Sequence, residues 1–238
     1  MTRVLDIFAS TLGLIFFGPF VGIILLLVWK QDGYSPLYRG ERVGKNKRIF
    51  RIIKIRSMHV DADRSGIEST SATDHRITPI GHFVRRWKFD EVLQLWNVLK
   101  GDMGLVGPRP NTIREVEKYS EEELKLLIVR PGITDIASIV FSDEGQILGM
   151  EEDPEEAYNN LIRPWKSRLG LLYIEKKYFL LDVCLIFLTV VSIFRKPLAL
   201  RLLHKILVNM GAPDDLVSVS YRKTPLKRIL PSGDFSSD

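Results

Sequence analysis

A chain of 238 residues, 45% of them hydrophobic, can bury one substantial core, so we expect one domain with appendages rather than two domains. The net charge of +5 and the pI near 9.3 favour an anionic partner, which leaves a nucleotide, a nucleic acid and a phospholipid surface open. Cys184 is the only cysteine, which excludes an intramolecular disulfide and a cysteine-based metal site and favours a reducing compartment.

The first element in chain order is an apolar segment from Val4 to Trp29. It contains one acid, Asp6, and no cation. At the rise of an α-helix it is about 39 Å long, enough to cross a bilayer. The segment is longer than the hydrophobic part of a signal peptide and no small-residue cleavage site ends it, so we expect it to remain in the mature protein.

Gly18 and Pro19 lie at the midpoint of this segment. Proline removes one helical hydrogen bond and clashes with the preceding turn, so we expect the helix to break there. Arg3 precedes the segment, and nine cations against two acids lie between Lys30 and Arg56, so the positive-inside rule draws both ends to the cytoplasm. A re-entrant helix–break–helix satisfies both ends, and these residues alone leave a kinked spanning helix open.

The region that follows predicts a mixed fold with more helices than strands. The stretch from Arg48 to Met58 is short, β-branched and cationic, and predicts one or two strands. The stretch from Ser120 to Arg130 predicts a helix, because Ser120 and Glu123 have capping-box spacing.

Two apolar stretches lie near the C-terminus. Tyr178 to Phe194 is 17 residues long and contains Asp182, so we predict a helix packed under the membrane face rather than a span. The next stretch has the pattern of an interfacial amphipathic helix, which a soluble surface helix shares. Its apolar residues are Leu198, Leu202, Ile206 and Met210. We therefore divide the chain into a membrane helix (1–30), a catalytic domain (31–197) and an amphipathic helix with a polar tail (198–238).

Asp90 and Glu91 form an acidic dyad before an apolar pattern of helical spacing. That pattern consists of Val92, Leu95, Trp96 and Leu99. Acids at a helix N-terminus are often only capping groups, favoured by the helix dipole. The surroundings of the dyad indicate more than capping, because Arg85 precedes it and Arg109 follows it between two prolines. Three glycines between dyad and Arg109 allow close approach of the backbone to a ligand: Gly101, Gly104 and Gly107.

This combination suits the chemistry of a phosphate ester. A carboxylate at a helix N-terminus and near arginines is expected to stay ionised, and it can attack phosphorus if a cation neutralises the repulsion from the phosphate oxygens. Mg²⁺ is the expected cation, held by Asp90 and Glu91 with the phosphates of the substrate. His59, Asp61 and Asp63 are weaker candidates for metal ligands, since carboxylates in such a stretch are usually solvated.

At this point the motifs resemble a known family. "KFDEVLQLWNVLKGDMGLVGPRP" is similar to the signature of the bacterial sugar transferases, small monotopic phosphoglycosyl transferases that begin the assembly of lipid-linked glycans. "RVGKNKRIFRIIKIRSM", "DHRITPIGHFVRRWKFDE", "VRPGITD" and "LLYIEKKYFLLDVCLIFLTVV" are similar to other segments of the family. The resemblance covers roughly residues 1 to 195, and motifs combined in this order are specific.

The resemblance implies a reaction and a location. A sugar 1-phosphate would pass from a UDP-sugar to polyprenol (undecaprenyl) phosphate, with release of UMP, on the cytoplasmic face of the bacterial inner membrane and with Mg²⁺. Asp90 would be the nucleophile, with Glu91 beside it, Arg85 near the phosphate and Arg109 at the centre of the PRP loop. The helix break of the family falls on Gly18-Pro19, which favours the re-entrant course.

The chain also departs from the family pattern. Val92-Leu93 stands where Leu-Pro is common, and Gly104 replaces a frequent serine. Asp135 and Ser138 replace the usual Gly and Gln after "RPGIT". None of these changes touches the acidic dyad.

The expected fold class is therefore α+β: a mostly helical monotopic membrane protein with a re-entrant N-terminal helix, interfacial helices and a small β element. The expected partners are a UDP-sugar, polyprenol phosphate and inner-membrane lipid, without nucleic acid, and a homodimer is left open. The alternative is a membrane-anchored, non-catalytic protein that binds anionic lipid or nucleic acid. That alternative explains the charge and the N-terminal segment but gives no reason for Asp90 and Glu91.

Overall fold

The computed structural model describes residues 2–62, 70–222 and 226. Within them the chain is mostly helical with two small sheets, as the sequence predicts. The helices are α1 (Thr2–Asp32), α2 (Pro79–Arg86), α3 (Gln94–Lys100), α4 (Ile113–Glu117), α5 (Ile136–Val140), α6 (Glu144–Leu148), α7 (Pro154–Ala157), α8 (Arg163–Lys176), α9 (Phe179–Asn209) and α10 (Asp214–Tyr221). The strands are β1 (Leu37–Val43), β2 (Ile49–Ile55), β3 (Gly104–Val106) and β4 (Gly132–Thr134). Short 3₁₀ turns cover Lys45–Lys47, Phe89–Glu91 and Glu123–Ile128, and a π-helical turn covers Tyr158–Ile162.

The two sheets bring distant parts of the chain together. β1 and β2 form an antiparallel hairpin in which Leu37 pairs with Ile55, so the strand predicted between residues 48 and 58 is confirmed. β3 and β4 pair in parallel, and Gly104 lies opposite Gly132. This second pairing holds the loop that carries Arg109 against the start of α5.

The largest hydrophobic cluster joins α5, α6, α8, α9 and α10. Leu169 of α8, Leu185 and Leu203 of α9 and Ile136 of α5 are fully buried in it. A fully buried leucine or isoleucine stabilises the fold by about 1.5–3 kcal/mol. The segment predicted to be a separate interfacial helix is therefore part of the main core.

The most buried positions of that C-terminal segment lie next to the predicted apolar face, and three residues of that face, Leu202, Ile206 and Met210, are partly buried beside them. Residues 198–209 belong to α9, which continues from the preceding apolar stretch through a kink at Arg195 (φ −142°, ψ 67°). The side chains of α9 buried after this kink are Ala199, Leu200, Leu203 and Leu207, whereas Leu198 is 40% exposed. Packing against α8 and α10 selects these most buried positions.

α1 is a single helix with Pro19 inside it, so the predicted division into two helices at Gly18-Pro19 is not present. Proline removes only its own N–H from the hydrogen-bonded ladder, and an apolar segment gains by keeping the other backbone bonds. Many of its large side chains are exposed, among them Ile15 (70%) and Phe16 (67%). Within the described residues, α1 and α9 are the two helices long and apolar enough to cross a membrane.

Both halves of α1 pack against the same globular region. Near its start, Arg3 donates to the Leu99 carbonyl oxygen at 2.7 Å, and Asp6 accepts from the Leu105 backbone N–H at 3.1 Å. Near its end, Val28 is buried in a cluster that includes Val84 of α2. The two ends are therefore held by elements that are contiguous in the fold.

The segment predicted as a helix from Ser120 to Arg130 is a 3₁₀ helix over Glu123–Ile128. The predicted capping box is nevertheless formed. The Ser120 N–H donates to Glu123 Oε2 at 2.9 Å, and the Glu123 N–H donates to Ser120 Oγ at 3.2 Å. Capping groups fix where a helical segment starts, but not whether it continues as an α-helix.

Candidate active site

The acidic dyad lies in the 3₁₀ turn Phe89–Glu91, and α3 begins only at Gln94. The predicted α-helix is present, but it begins three residues after Glu91 and does not include the dyad. Lys88, immediately before the turn, has left-handed backbone angles (φ 57°, ψ 21°), which are uncommon and costly for a residue with a side chain. This residue joins α2 to the dyad, and Arg85 and Asp90 on either side of it line the same cleft.

The buried face of α3, which follows the dyad, is not the face that the apolar pattern predicts. Trp96, which fits the apolar pattern but could equally be an anchor at a membrane interface, is 51% exposed, whereas Asn97 is fully buried. Asn97 accepts from the Ile53 N–H at 3.0 Å and donates to the Arg51 carbonyl at 2.8 Å, which satisfies the free edge of β2. This amide therefore ties β2 to the segment that follows the dyad.

Glu91 and Arg109 form a bidentate ion pair. Arg109 donates from Nη1 to Glu91 Oε2 at 2.9 Å and from Nη2 to Oε1 at 2.6 Å, and Nη1 also donates to the Ile133 carbonyl at 2.9 Å. Burial would raise the pKa of Glu91, but the Arg109 guanidinium, with Lys54 behind it, holds that pKa well below its usual range. Glu91 is therefore ionised and fixed in orientation.

Asp90 differs from Glu91 in environment. Its side chain is buried, and its Oδ1 has no hydrogen-bond partner within the described part of the chain. Burial and the neighbouring Glu91 carboxylate raise the pKa of Asp90, against the opposing effect of Lys54, Lys88 and Arg85. The expectation that arginines simply keep Asp90 ionised is thus incomplete, because desolvation is the largest effect on it.

Arg85 supplies a free donor to the same site. It projects from the last turn of α2, and its Nη1 is buried without a hydrogen-bond partner among the described residues. A buried, unpaired guanidinium nitrogen is costly, so it marks a place where an anionic group of a ligand would bind.

Lys54 is a site residue that the sequence analysis missed. It lies on β2, and burial lowers its pKa to about 8, with the charge of Glu91 opposing this shift and that of Arg109 adding to it. β2 is distant from the dyad in sequence, and a lysine in a cationic strand gives no sign that it faces carboxylates. The pairing of β2 with Asn97 of α3 is what brings Lys54 to the dyad.

One large cleft, with a volume of about 1140 Å³, contains the dyad, Arg85, Arg109 and Lys54. Among the described residues, ten lysines and arginines line it against three acids. Phe17 of α1 and Ile193 of α9 also line it, so the charged site opens onto both apolar helices. Such a cleft can hold a polyanion at one end and an apolar chain at the other.

The three glycines after the dyad do not line the cleft, so they are not placed for the predicted close approach of the backbone to a ligand there. Gly101 ends α3 with a left-handed conformation (φ 90°). A Cβ on Gly132 would lie 2.1 Å from the Gly107 nitrogen, and a Cβ on Gly107 would lie 2.5 Å from the Arg130 carbonyl oxygen, so both glycines are needed where the chain after β3 meets β4. Gly104 pairs with Gly132 in that same sheet. These glycines therefore position the Arg109 loop rather than the substrate.

The donor set for a divalent cation is small. No group of three or more His, Cys, Asp or Glu side chains able to hold a metal occurs in residues 2–62, 70–222 and 226. Asp63, one of the weaker candidates, lies outside the described residues. Asp90 Oδ1 is buried and unpaired within them, while both Glu91 oxygens accept from Arg109. The dyad therefore fits a cation such as Mg²⁺ that takes few protein ligands and completes its shell with phosphates and water.

The sequence matches the family model of the bacterial sugar transferases over residues 1–196. The chain belongs to this family. It is 35% identical over 204 residues to the exopolysaccharide production protein PSS of Rhizobium leguminosarum bv. phaseoli, covering 81% of this chain and 94% of that protein. The resemblance found from the motifs is thus confirmed.

Two further relatives are similar over shorter stretches. A protein of Bacillus subtilis, described as a putative undecaprenyl-phosphate N-acetylgalactosaminyl 1-phosphate transferase, is 41% identical over 120 residues, which is 50% of this chain and 67% of the relative. The galactosyl transferase CpsE of Streptococcus agalactiae is 42% identical over 148 residues, 58% of this chain. Only 33% of CpsE is covered, so this chain corresponds to one part of that longer protein.

Proposed function

We propose that the chain transfers a sugar 1-phosphate from a UDP-sugar to polyprenol phosphate, with release of UMP, as the initiating step of lipid-linked glycan assembly. The observation that carries this proposal is the single cleft in which the acidic dyad and ten cationic side chains lie with Phe17 and Ile193 of the two apolar helices. A soluble nucleotide sugar and a lipid phosphate can both reach such a site. The names of the family and of the Bacillus relative support the transfer of a sugar 1-phosphate to undecaprenyl phosphate.

The reaction is proposed to run in two displacements at one phosphorus atom. An oxygen of the Asp90 carboxylate attacks the phosphorus that bears the sugar, the bond from that phosphorus to the bridging oxygen breaks, and its electron pair leaves with UMP. An oxygen of polyprenol phosphate then attacks the same phosphorus and releases the Asp90 carboxylate. The raised pKa of Asp90 is consistent with a poorly solvated and therefore reactive oxygen once the proton is lost.

The neighbouring groups have distinct roles in this proposal. Arg85, with its unpaired Nη1, binds phosphate oxygens of the donor. Arg109 holds Glu91 in place, and Lys54 adds positive charge beside both carboxylates. Asp90 and Glu91 would hold Mg²⁺ together with phosphate oxygens, and the ion would supply charge neutralisation between the carboxylates and the donor.

The proposed location is the cytoplasmic face of the bacterial inner membrane, with both ends of α1 on that face although α1 is one helix without a break. The support is structural, since both ends of α1 contact one globular region through Arg3 and through Val28. The exposed apolar side chains of α1 and α9 are suited to lipid. The homodimer left open by the sequence stays a prediction.

The test of this function is mass spectrometry of the full chain incubated with UDP-sugar and Mg²⁺, without polyprenol phosphate. We expect UMP release of one equivalent and a sugar-phosphate adduct on the peptide that contains Asp90. The adduct should disappear when polyprenol phosphate is added. Asp90→Asn keeps the shape of the side chain but removes the nucleophile, so it should form no adduct while still binding the UDP-sugar.

Two outcomes would contradict the proposal in different ways. If UMP is released only when both substrates are present, transfer is direct, and Asp90 acts as a metal ligand or base. If no UMP is released under any condition, the non-catalytic alternative that binds anionic lipid or nucleic acid becomes the better account. Asp102→Asn is a suitable control, because Asp102 pairs with Lys100 and does not line the cleft.

A further inference from the structure

The side chains that line the cleft beyond the dyad fall into two groups. One group, the basic side, comes from β1, β2 and the segments around them and consists of Arg39, Arg42, Arg56 and Arg76. The other group, the α5 side, comes from α5 and its neighbours α6 and α8 and includes Ser138, Ser142, Glu144 and Lys166. The two groups differ in charge, because the α5 side carries the one acid besides the dyad among the described lining residues, although on the basic side Arg56 is paired with Asp32 and Arg76 with Asp74.

The α5 side is connected directly to the dyad. Arg109, which holds Glu91, also donates to the carbonyl of Ile133, two residues before Asp135. Asp135 interacts electrostatically with both Arg109 and Lys166. It accepts hydrogen bonds from the Ser138 N–H at 2.7 Å and from the Ser138 Oγ at 2.6 Å. The α5 side and the dyad therefore line one continuous cleft and are joined through Arg109.

The polar atoms of the α5 side are suited to hydroxyl groups. The Ser142 Oγ is buried and has no hydrogen-bond partner among the residues described. Ser138 uses its proton on Asp135, so its oxygen remains able to accept. Lys166 forms an ion pair with Glu144 and lies 5.2 Å from the centre of the Tyr158 ring, which fixes the ammonium group in place.

Charge decides which half of a nucleotide sugar fits each side. A diphosphate is repelled by a carboxylate, so the basic side suits the phosphates and the nucleoside linked to them. A sugar ring presents hydroxyls that both donate and accept, which complements a carboxylate, an ammonium group and two serine oxygens.

We propose that Ser138, Ser142 and the Glu144–Lys166 pair bind hydroxyl groups of the donor sugar and so select which sugar 1-phosphate is transferred. This inference rests on the function proposed above. Sites that hydrogen-bond a substrate hydroxyl discriminate strongly against an analogue that lacks or misplaces it, because their buried polar groups then stay unpaired. Replacing a group on this side is therefore expected to change selectivity among sugars more than binding of the nucleotide.

The experiment measures UMP release by the full chain with Mg²⁺ and polyprenol phosphate. The donors are UDP-glucose, UDP-galactose and their two N-acetylamino counterparts, and the variants are Glu144→Gln and Ser142→Ala. We expect the ratio of kcat/KM between the preferred donor and its C4 epimer to change about tenfold in Glu144→Gln, the size of effect for one lost hydrogen bond to a charged group when the other contacts to the sugar remain. Inhibition by UMP, which has no sugar, should be unchanged in both variants, and this also shows that the site is folded.

A matched control is Glu122→Gln, since Glu122 forms an exposed ion pair with Lys125 outside the cleft. Selectivity and UMP inhibition should both be unchanged in it. If Glu144→Gln and Ser142→Ala both turn over at the wild-type rate and with the wild-type ratios of kcat/KM among the donors, the assignment of the sugar side is wrong. Equal weakening of every donor and of UMP would also overturn it. Absence of UMP release from all four donors by the wild type would instead refute the proposed function, and the sugar assignment with it.

Discussion

Arg109 binds Glu91 through two parallel hydrogen bonds of 2.9 and 2.6 Å, and this pair fixes one member of the acidic dyad while leaving the other free. The oxygens of Glu91 are both engaged by the arginine, whereas the Oδ1 of Asp90 is unpaired among the described residues. Adjacent carboxylates in one turn therefore have different chemistry. This asymmetry supports Asp90 as the nucleophile and Glu91 as a fixed charge beside it.

The first prediction concerns this ion pair. Arg109→Ala should leave Glu91 as an uncompensated charge in a largely buried site and lower the free energy of unfolding by about 3 kcal/mol. Adding Glu91→Gln should recover part of that loss, because the remaining side chain is neutral. Because the pKa of Glu91 is lowered by folding, the stabilisation should be present above the ordinary glutamate pKa of 4.5 and be lost as the pH falls below it.

A double-mutant cycle in detergent, read by chemical unfolding at neutral pH, measures this coupling. The two single substitutions should sum to a greater loss than the double substitution shows. Strictly additive losses would mean that the pair contributes nothing to stability beyond its separate members.

The second prediction concerns Arg85. Arg85→Ala should reduce the rate of UMP release by about a hundredfold, because it removes a charge-assisted donor from the transferring phosphate. Stability should change little, since the Nη1 of Arg85 has no partner to lose within the part of the chain that the structure describes. Arg85→Lys should restore part of the rate, as it keeps the charge but not the planar donor pair.

The neighbouring Arg86 provides the control for this measurement. Arg86 is exposed and does not line the cleft, so Arg86→Ala should leave the rate unchanged while removing the same formal charge. If Arg85→Ala and Arg86→Ala lose the same amount of rate, the effect comes from the positive electrostatic potential around α2 and not from a contact between Arg85 and phosphate.

The third prediction concerns pH. The pKa of Lys54 is lowered to about 8, so the side chain is protonated below that pH and neutral above it. If its charge supports phosphate binding, kcat/KM should fall as the pH rises through about 8. In Lys54→Arg this fall in kcat/KM should be absent from the pH range in which the enzyme can be assayed, because arginine stays protonated. If kcat/KM falls over the same pH range in the wild type and in Lys54→Arg, the group that titrates is not Lys54.

Lys54 also shows how far the sequence could define this site. Asp90, Arg85 and Arg109 lie close together in the sequence, and their residue types alone indicated phosphate chemistry. Lys54 reaches the dyad only through the hydrogen bonds between Asn97 and β2, which join segments more than forty residues apart. Residue type and local spacing carry no information about such a contact, so the sequence could not place Lys54 there.

The errors in helix faces have a related cause. Hydrophobic periodicity predicts a buried face on the assumption that water surrounds the opposite face. Trp96 is exposed although it fits the apolar pattern of α3, and Asn97 is buried because β2 has an edge to satisfy. In α9, contacts with α8 and α10 select Leu203 and Leu207 over the neighbouring apolar positions. Local pattern gave the correct kind of element in both cases, and tertiary packing chose its orientation.

The last prediction is that both ends of α1 face the cytoplasm. Arg3 donates to the Leu99 carbonyl at the end of α3, and Asp32 accepts two hydrogen bonds from Arg56, which follows β2. A course that spans the membrane would have to break one of these contacts, because the two lie on one globular region. In a background of Cys184→Ala, Thr2→Cys and Lys30→Cys should both resist a membrane-impermeant thiol reagent in intact cells and both react after permeabilisation.

The central Gly18-Pro19 pair provides a way to change this topology. A Cβ on Gly18 would meet nothing within 4 Å, so Gly18→Ala adds no steric clash, and Pro19→Leu restores the backbone N–H that proline lacks in the hydrogen-bonded ladder of α1. A straighter, more apolar helix should favour spanning, so the double substitution should expose one of the two engineered cysteines to the outside and lower the rate of UMP release. Labelling of one end alone in the chain that keeps Gly18-Pro19 would show that α1 spans the membrane, and the contact of Arg3 with α3 or of Asp32 with Arg56 would then have to be absent in the membrane.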